Sequence, residues 1–182
     1  MSKKDFEKFL SNKTKASASG PDWEKEKEEW LAYLNALYKR FEEALKKYTA
    51  DGKIVISYDE IEITEENVGT YKAPKMIISF GNDHIILKPI GTFLIAAKGR
   101  VDMTGRRGTV KIVLVDSRMK RLQDHIKISV TVGNELPPKK EIEIEPQEIN
   151  WEWKFMTSPP TLVYQPVNED TIYSTIMELT NG

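Results

Sequence analysis

The spacing of apolar residues along the chain changes period once, near residue 52. Before that point Trp30, Leu34, Leu37, Phe41, Ala44 and Tyr48 step by three or four, as one face of a helix requires, and Leu31, Tyr38 and Leu45 widen the stripe. Gly20-Pro21-Asp22 opens this segment, and the acids Glu24, Glu26, Glu28 and Glu29 suit the positive end of a helix. Lys46 and Lys47 suit the negative end, and Asp51-Gly52 supplies a stop. The pattern predicts a helix over 21–50, roughly 40 Å long at ~1.5 Å per residue. That exceeds the width of most sheets in a domain of this size. The stripe is read as core, with its first turns, carrying Trp23 and Trp30, projecting past the sheet as a possible interface.

Beyond residue 52 the period falls to two, the signature of strands. In KIVISYDEIEIT the apolar set slips phase, with Ile54, Ile56 and Tyr58 on one face and Ile61 and Ile63 on the other, which suggests a bulge near Asp59. Pro74 opens KMIISF, and Gly81-Asn82-Asp83 turns directly into HIILKPIG. The clearest hairpin follows. Phe93, Ile95, Ala97, Gly99, Val101 and Met103 form a core set, Thr104-Gly105-Arg106-Arg107-Gly108 a loop, and Val110, Ile112 and Leu114 the returning core face. HIKISVTV, KKEIEIEP, INWEWKFM and TLVYQPV alternate in the same way, with Trp151, Trp153 and Phe155 inward and Pro166 marking an edge or strand end. Asn168-Glu169-Asp170 then caps a short helix whose Ile172, Ile176 and Leu179 face inward.

Hairpin-length connections require antiparallel neighbours, and no strand–helix–strand alternation is present. The predicted fold class is α+β: a long N-terminal helix packed on a strongly curved, mainly antiparallel sheet or partly open barrel of about eight strands, closed by a short C-terminal helix. Residues 1–20 are expected to be a flexible segment. They end in the small, polar NKTKASASG and offer only Phe6, Phe9 and Leu10 to bury. Residues 21–182 are expected to make a single domain, with helix over 21–50, strands over 53–167 and helix over 168–180; a chain of 182 residues suffices for one good core.

Composition narrows the function classes. There is no cysteine, which excludes disulfides, thiolate metal sites and a cysteine nucleophile and fits a reducing compartment. No signal-like or membrane-spanning apolar run occurs, so no membrane partner is expected and the cytoplasm is the expected location. The formal net charge is only −1, but residues 88–127 hold ten Lys/Arg against three acids. The flanking stretches 51–87 and 128–182 are acidic.

Few residues suggest chemistry. His84 and His125, each at a strand start beside Asp83 or Asp124, are the only histidines, too few for a structural zinc site. No nucleophile elbow or phosphate-cradling glycine loop is present, and no cofactor is expected. The polar face of the central hairpin remains, carrying Lys98, Arg100 and Asp102 at alternate positions with Lys111 on the returning strand. One reading is a cross-strand charge ladder in which Asp102 pairs with Arg100 or Lys111. The other joins these residues to Arg106, Arg107, Arg118, Lys120 and Arg121 as an anion-reading surface. No aromatic residue between Phe93 and Trp151 supplies a stacking platform for bases. The leading expectation is a non-enzymatic binding or accessory module, acting on another protein or on itself through the N-terminal helix. A nucleic-acid-binding protein using residues 98–121, and a small-ligand-binding or hydrolytic barrel, are the alternatives.

Overall fold

The computed structural model describes residues 22–66, 68–92, 97–121, 149–157 and 162–181. The first element is α1, Trp23–Ala50; Asp22 caps it by accepting from the Lys25 amide at 3.2 Å. Seven strands follow among the described residues: β1 (Val55–Glu65), β2 (Gly69–Phe80), β3 (Asp83–Gly91), β4 (Gly99–Gly105), β5 (Gly108–Asp116), β6 (Trp151–Met156) and β7 (Tyr164–Pro166). α2, Glu169–Thr180, closes the chain. Its N-terminus is a reciprocal cap in which Asn168 accepts from the Thr171 amide and Thr171 accepts from the Asn168 amide.

Every strand pairs antiparallel with its sequence neighbour, so the sheet runs β1 to β7 in order. The fold is therefore α+β with an open sheet: among the described residues β1 and β7 do not meet to close a barrel. The strands expected in HIKISVTV and KKEIEIEP lie outside the described residues. Pro166 ends β7, the sheet's last strand, where a missing N–H interrupts no ladder beyond it.

Both helices cover one face of the sheet. Trp30, Leu34, Leu37 and Phe41 of α1 meet Leu87, Val101, Met103, Ile112, Leu114, Trp153 and Phe155, while Ile172, Ile176 and Leu179 of α2 join the same cluster. Of the alternate residues named from the sequence, Gly99, Val101, Met103, Val110, Ile112 and Leu114 lie on this buried face, Ala97 packs instead against Val113, Val115 and Tyr164, and Phe93 and Ile95 lie outside the described residues. The rings of Trp30 and Trp153 stand 5.8 Å apart, and those of Phe41 and Phe155 stand 6.5 Å apart. Trp153 Nε1 also donates to the Tyr33 carbonyl at 2.8 Å, which satisfies its one polar atom. Glycine is required where Trp30 lies on the sheet: a Cβ at Gly99 would fall 2.2 Å from the indole carbon Cζ3.

The phase slip in β1 has a different cause from the expected bulge. β1 and β2 pair without interruption over eleven residue pairs, Val55↔Ser79 to Glu65↔Gly69. Both strands change their buried face together: Met76 and Ile78 are buried in one half of β2, Tyr71 and Ala73 in the other. β3 pairs with β2 only from Met76 onward, so the far half of the β1–β2 ribbon leaves the sheet and coils to bury its opposite face. Pro74 sits inside β2 at this departure, where no β3 strand needs its absent N–H. The Tyr38 hydroxyl holds the junction, donating to the Pro74 carbonyl at 2.7 Å and the Leu87 carbonyl at 3.3 Å. The irregularity in the sheet lies instead between Pro89 and Gly91, where β3 shifts register on β4.

Candidate functional site

The structure distributes the basic hairpin residues among separate internal tasks. Lys98 reaches α1, where its ammonium donates to Glu29 and lies 3.7 Å from Glu26. It also sits 5.7 Å from the ring centres of both Tyr33 and Trp151. Burial pulls its pKa down, but the hydrogen bond to Glu29 and the two glutamate charges outweigh burial and raise it. Arg100 grips Asp102 in a bidentate pair at 2.6 and 2.7 Å. Asp102 stands in register between Lys88 and Lys111, yet Arg100 takes it, and Lys111 remains exposed on the face away from the helices.

Arg106 and Arg107 occupy the β4–β5 turn, which lies against the C-terminus of α2. The Arg107 amide donates to the Leu179 carbonyl at 3.0 Å, and the Arg106 guanidinium to the Thr180 carbonyl at 2.6 Å. The Arg107 guanidinium donates to the Asn181 carbonyl, and Arg106 also stands 3.8 Å from Asp83. The last turn of α2 carries no basic residue of its own, so this turn satisfies its open carbonyls and complements its negative end. Arg118 clasps Asp116, its Nε donating at 2.9 and 3.1 Å while its amide donates at 3.0 Å. Arg118 thereby lowers the Asp116 carboxyl to about 2. Lys120 and Arg121 are exposed next to β7: Tyr164 donates to the Lys120 carbonyl at 3.0 Å, and Arg121 bridges Val163.

The N-terminal helix also differs from expectation. Trp30 is fully buried between α1 and the sheet, so it presents no interface; the glycine at position 99 lets the helix approach closely enough to cover it. Trp23, about two turns earlier, is half-buried. His84 is exposed on β3, and His125 and Asp124 lie outside the described residues. Among the described residues no three His, Asp or Glu side chains come together as a metal would need. No described helix is long and apolar enough to cross a membrane.

Two arrangements went unread in the sequence. The first is a buried carboxylate. Glu65, at the end of β1, accepts from the Tyr71 hydroxyl at 2.5 Å and from the Thr92 amide and hydroxyl at 2.8 Å each. Burial first, and then the Glu65 carboxylate, push the Tyr71 phenol up. Gly91, at φ +140°, passes so close that a Cβ would lie 2.9 Å from the Glu65 carboxyl carbon. These bonds fasten the coiled ribbon to the end of β3.

The second is a groove of about 420 Å³ where the end of α1, the start of β1, the end of β2 and α2 converge. Leu45, Ile54, Phe80 and Ile176 give it apolar walls, Tyr48 and Tyr173 border it, and Lys53 and Met177 stand at its rim. The two tyrosine rings meet edge-on, 5.8 Å apart, and Tyr173 donates to the Ala44 carbonyl at 2.6 Å and to Glu169 at 2.8 Å. Glu169 first, then burial, push the Tyr173 phenol up to about 12. Met177 is 53% exposed although it belongs to a helix with a well-buried row. On its other side lies a hollow of about 810 Å³ with a mixed lining, bordered by Arg107, Thr109, Val110, Glu178 and Leu179. Met177 is thus a ridge between an apolar depression and a mixed one. The sequence signal that could have found it is an apolar side chain next to, and not within, the Ile172–Ile176–Leu179 row.

No protein family, curated protein or solved structure matches this chain.

Proposed function

We propose that this protein is a non-enzymatic protein-binding module that receives a bulky apolar side chain of a partner protein in the groove between α1 and α2. The observation that carries the proposal is the open apolar groove with Met177 exposed at its rim. Large exposed apolar side chains beside an apolar depression are the anchors and pockets from which interfaces draw most of their binding energy. Thioethers adapt to varied shapes, which suits a contact ridge. Small-molecule sites bury most of the ligand in a closed cleft, and a shallow groove with an exposed rim fits a side chain on a larger body better. A cysteine-free chain suits a reducing compartment such as the cytoplasm.

The internal partners of Lys98, Arg100, Arg106, Arg107 and Arg118 weigh against the nucleic-acid reading, because phosphate contact would compete with bonds the fold already uses.

The test compares partner recovery by the wild type, by Met177→Asp in the groove, and by Lys111→Asp on the opposite sheet face. The proposal expects a partner held by the wild type and by Lys111→Asp and lost with Met177→Asp, while all three melt alike. Equal recovery by all three would remove the groove from the account. Recovery of more of this same chain would make the interface a self-association.

A further inference from the structure

β1 is an edge strand of unusual openness. It is eleven residues long, about twice the usual strand, and among the described residues nothing pairs with its outer side. Proteins blunt such edges by keeping them short, or with proline, a bulge or charge. β1 contains no proline, and its ladder with β2 is unbroken, so the first three devices are missing. Charge is the one that is present. Asp59, Glu60 and Glu62 are exposed along the strand, and Glu66 follows its end. Lys75 pairs with Asp59 at 2.9 Å and Lys72 with Glu60 at 2.5 Å. Lys72 lies opposite Glu62 in the ladder but turns to Glu60, so Glu62 has no cation among the described residues.

This guard is selective. Pairing β1 along its full length with an antiparallel second copy would set Glu60 against Glu60, because Val55 would then face Glu65. The strand beside the acids is repelled by its own kind and attracts a strand of opposite charge. Val55, 62% exposed, and Ser57 begin the edge without charge.

We infer that β1 is a strand-addition site for an extended basic segment of a partner protein, which lengthens the sheet by one strand. Main-chain bonds to the open edge supply the attraction, and lysines or arginines opposite Glu60 and Glu62, which share one face of the strand, select the partner. This surface is separate from the α1–α2 groove and stands or falls without it.

The probe is an alternating Lys-Val peptide added to the full chain, with an alternating Glu-Val peptide and an N-methylated Lys-Val peptide as controls. Amide hydrogen exchange along 55–64 and the affinity are read together. The expected result is slowed exchange in β1 with the Lys-Val peptide only. Glu62→Lys weakens binding about fivefold to tenfold, the milder Glu62→Gln weakens it less, and Met177→Asp leaves it unchanged. Unslowed exchange in β1, equal binding of the Glu-Val or N-methylated peptide, or protection that grows with protein concentration alone would overturn the inference.

Discussion

Gly99 and Trp30 are fitted to each other, and neither can change alone. An indole buried completely against a glycine fixes the height at which α1 crosses β4. Gly99→Ala places a methyl carbon inside the ring's contact distance, and overpacking of this kind costs ~1–3 kcal/mol. Urea denaturation of Gly99→Ala should show that loss, and the paired change Gly99→Ala/Trp30→Leu should recover part of it. Asp116 makes a prediction in pH. Its carboxyl sits at about 2 in the folded chain, held down by Arg118, against an ordinary value of 3.8. A depressed carboxylate contributes stability that is complete above the ordinary value and is lost as pH falls through the folded one. The urea midpoint gap between wild type and Asp116→Asn should therefore be constant at neutral pH and shrink as pH falls from 3.8 through about 2. A gap independent of pH would show that the Asp116–Arg118 pair does no electrostatic work.

Elements built from local signals were the most legible. Asn168 caps α2 where its sequence position suggested, because a cap needs only a side chain and the next turn's amides; Asp22, expected inside the first helix, is instead its cap. Asn168→Ala should cost ~0.5–2 kcal/mol, read as a lowered melting temperature. The β1–β2 ribbon was less legible. Its far end, Thr64–Glu65 on β1 and Gly69–Ala73 on β2, is strand despite a sequence without sustained alternation, because the ribbon changes its buried face at Asp59–Glu60 and Pro74–Lys75. A two-residue period cannot announce a twist made by two strands together. Arg106 and Arg107 were legible as part of a basic run, but the carbonyls they bond lie at the end of α2, more than seventy residues later. The groove was the least legible. Its walls come from four elements, and only packing brings Leu45, Ile54, Phe80 and Ile176 together.

At the scale of the whole molecule, the sheet has one face committed to the two helices, an apolar groove where those helices meet the sheet's end, and an acidic edge that is open among the described residues. Charge in the 98–121 stretch is largely spent on holding α1, α2 and the turn after β5 in place. Binding to duplex or single-stranded nucleic acid at ~50 mM salt, where phosphate contacts are strongest, should accordingly be absent. Site-directed photo-crosslinking asks whether the groove beside Met177 meets another protein. A photoreactive side chain placed at position 177 of the full chain, and in a separate sample at position 111 on the opposite sheet face, is activated in the native extract. A discrete adduct with one other protein is expected from position 177 and none from position 111. No adduct at 177, or the same adducts from both positions, would contradict it.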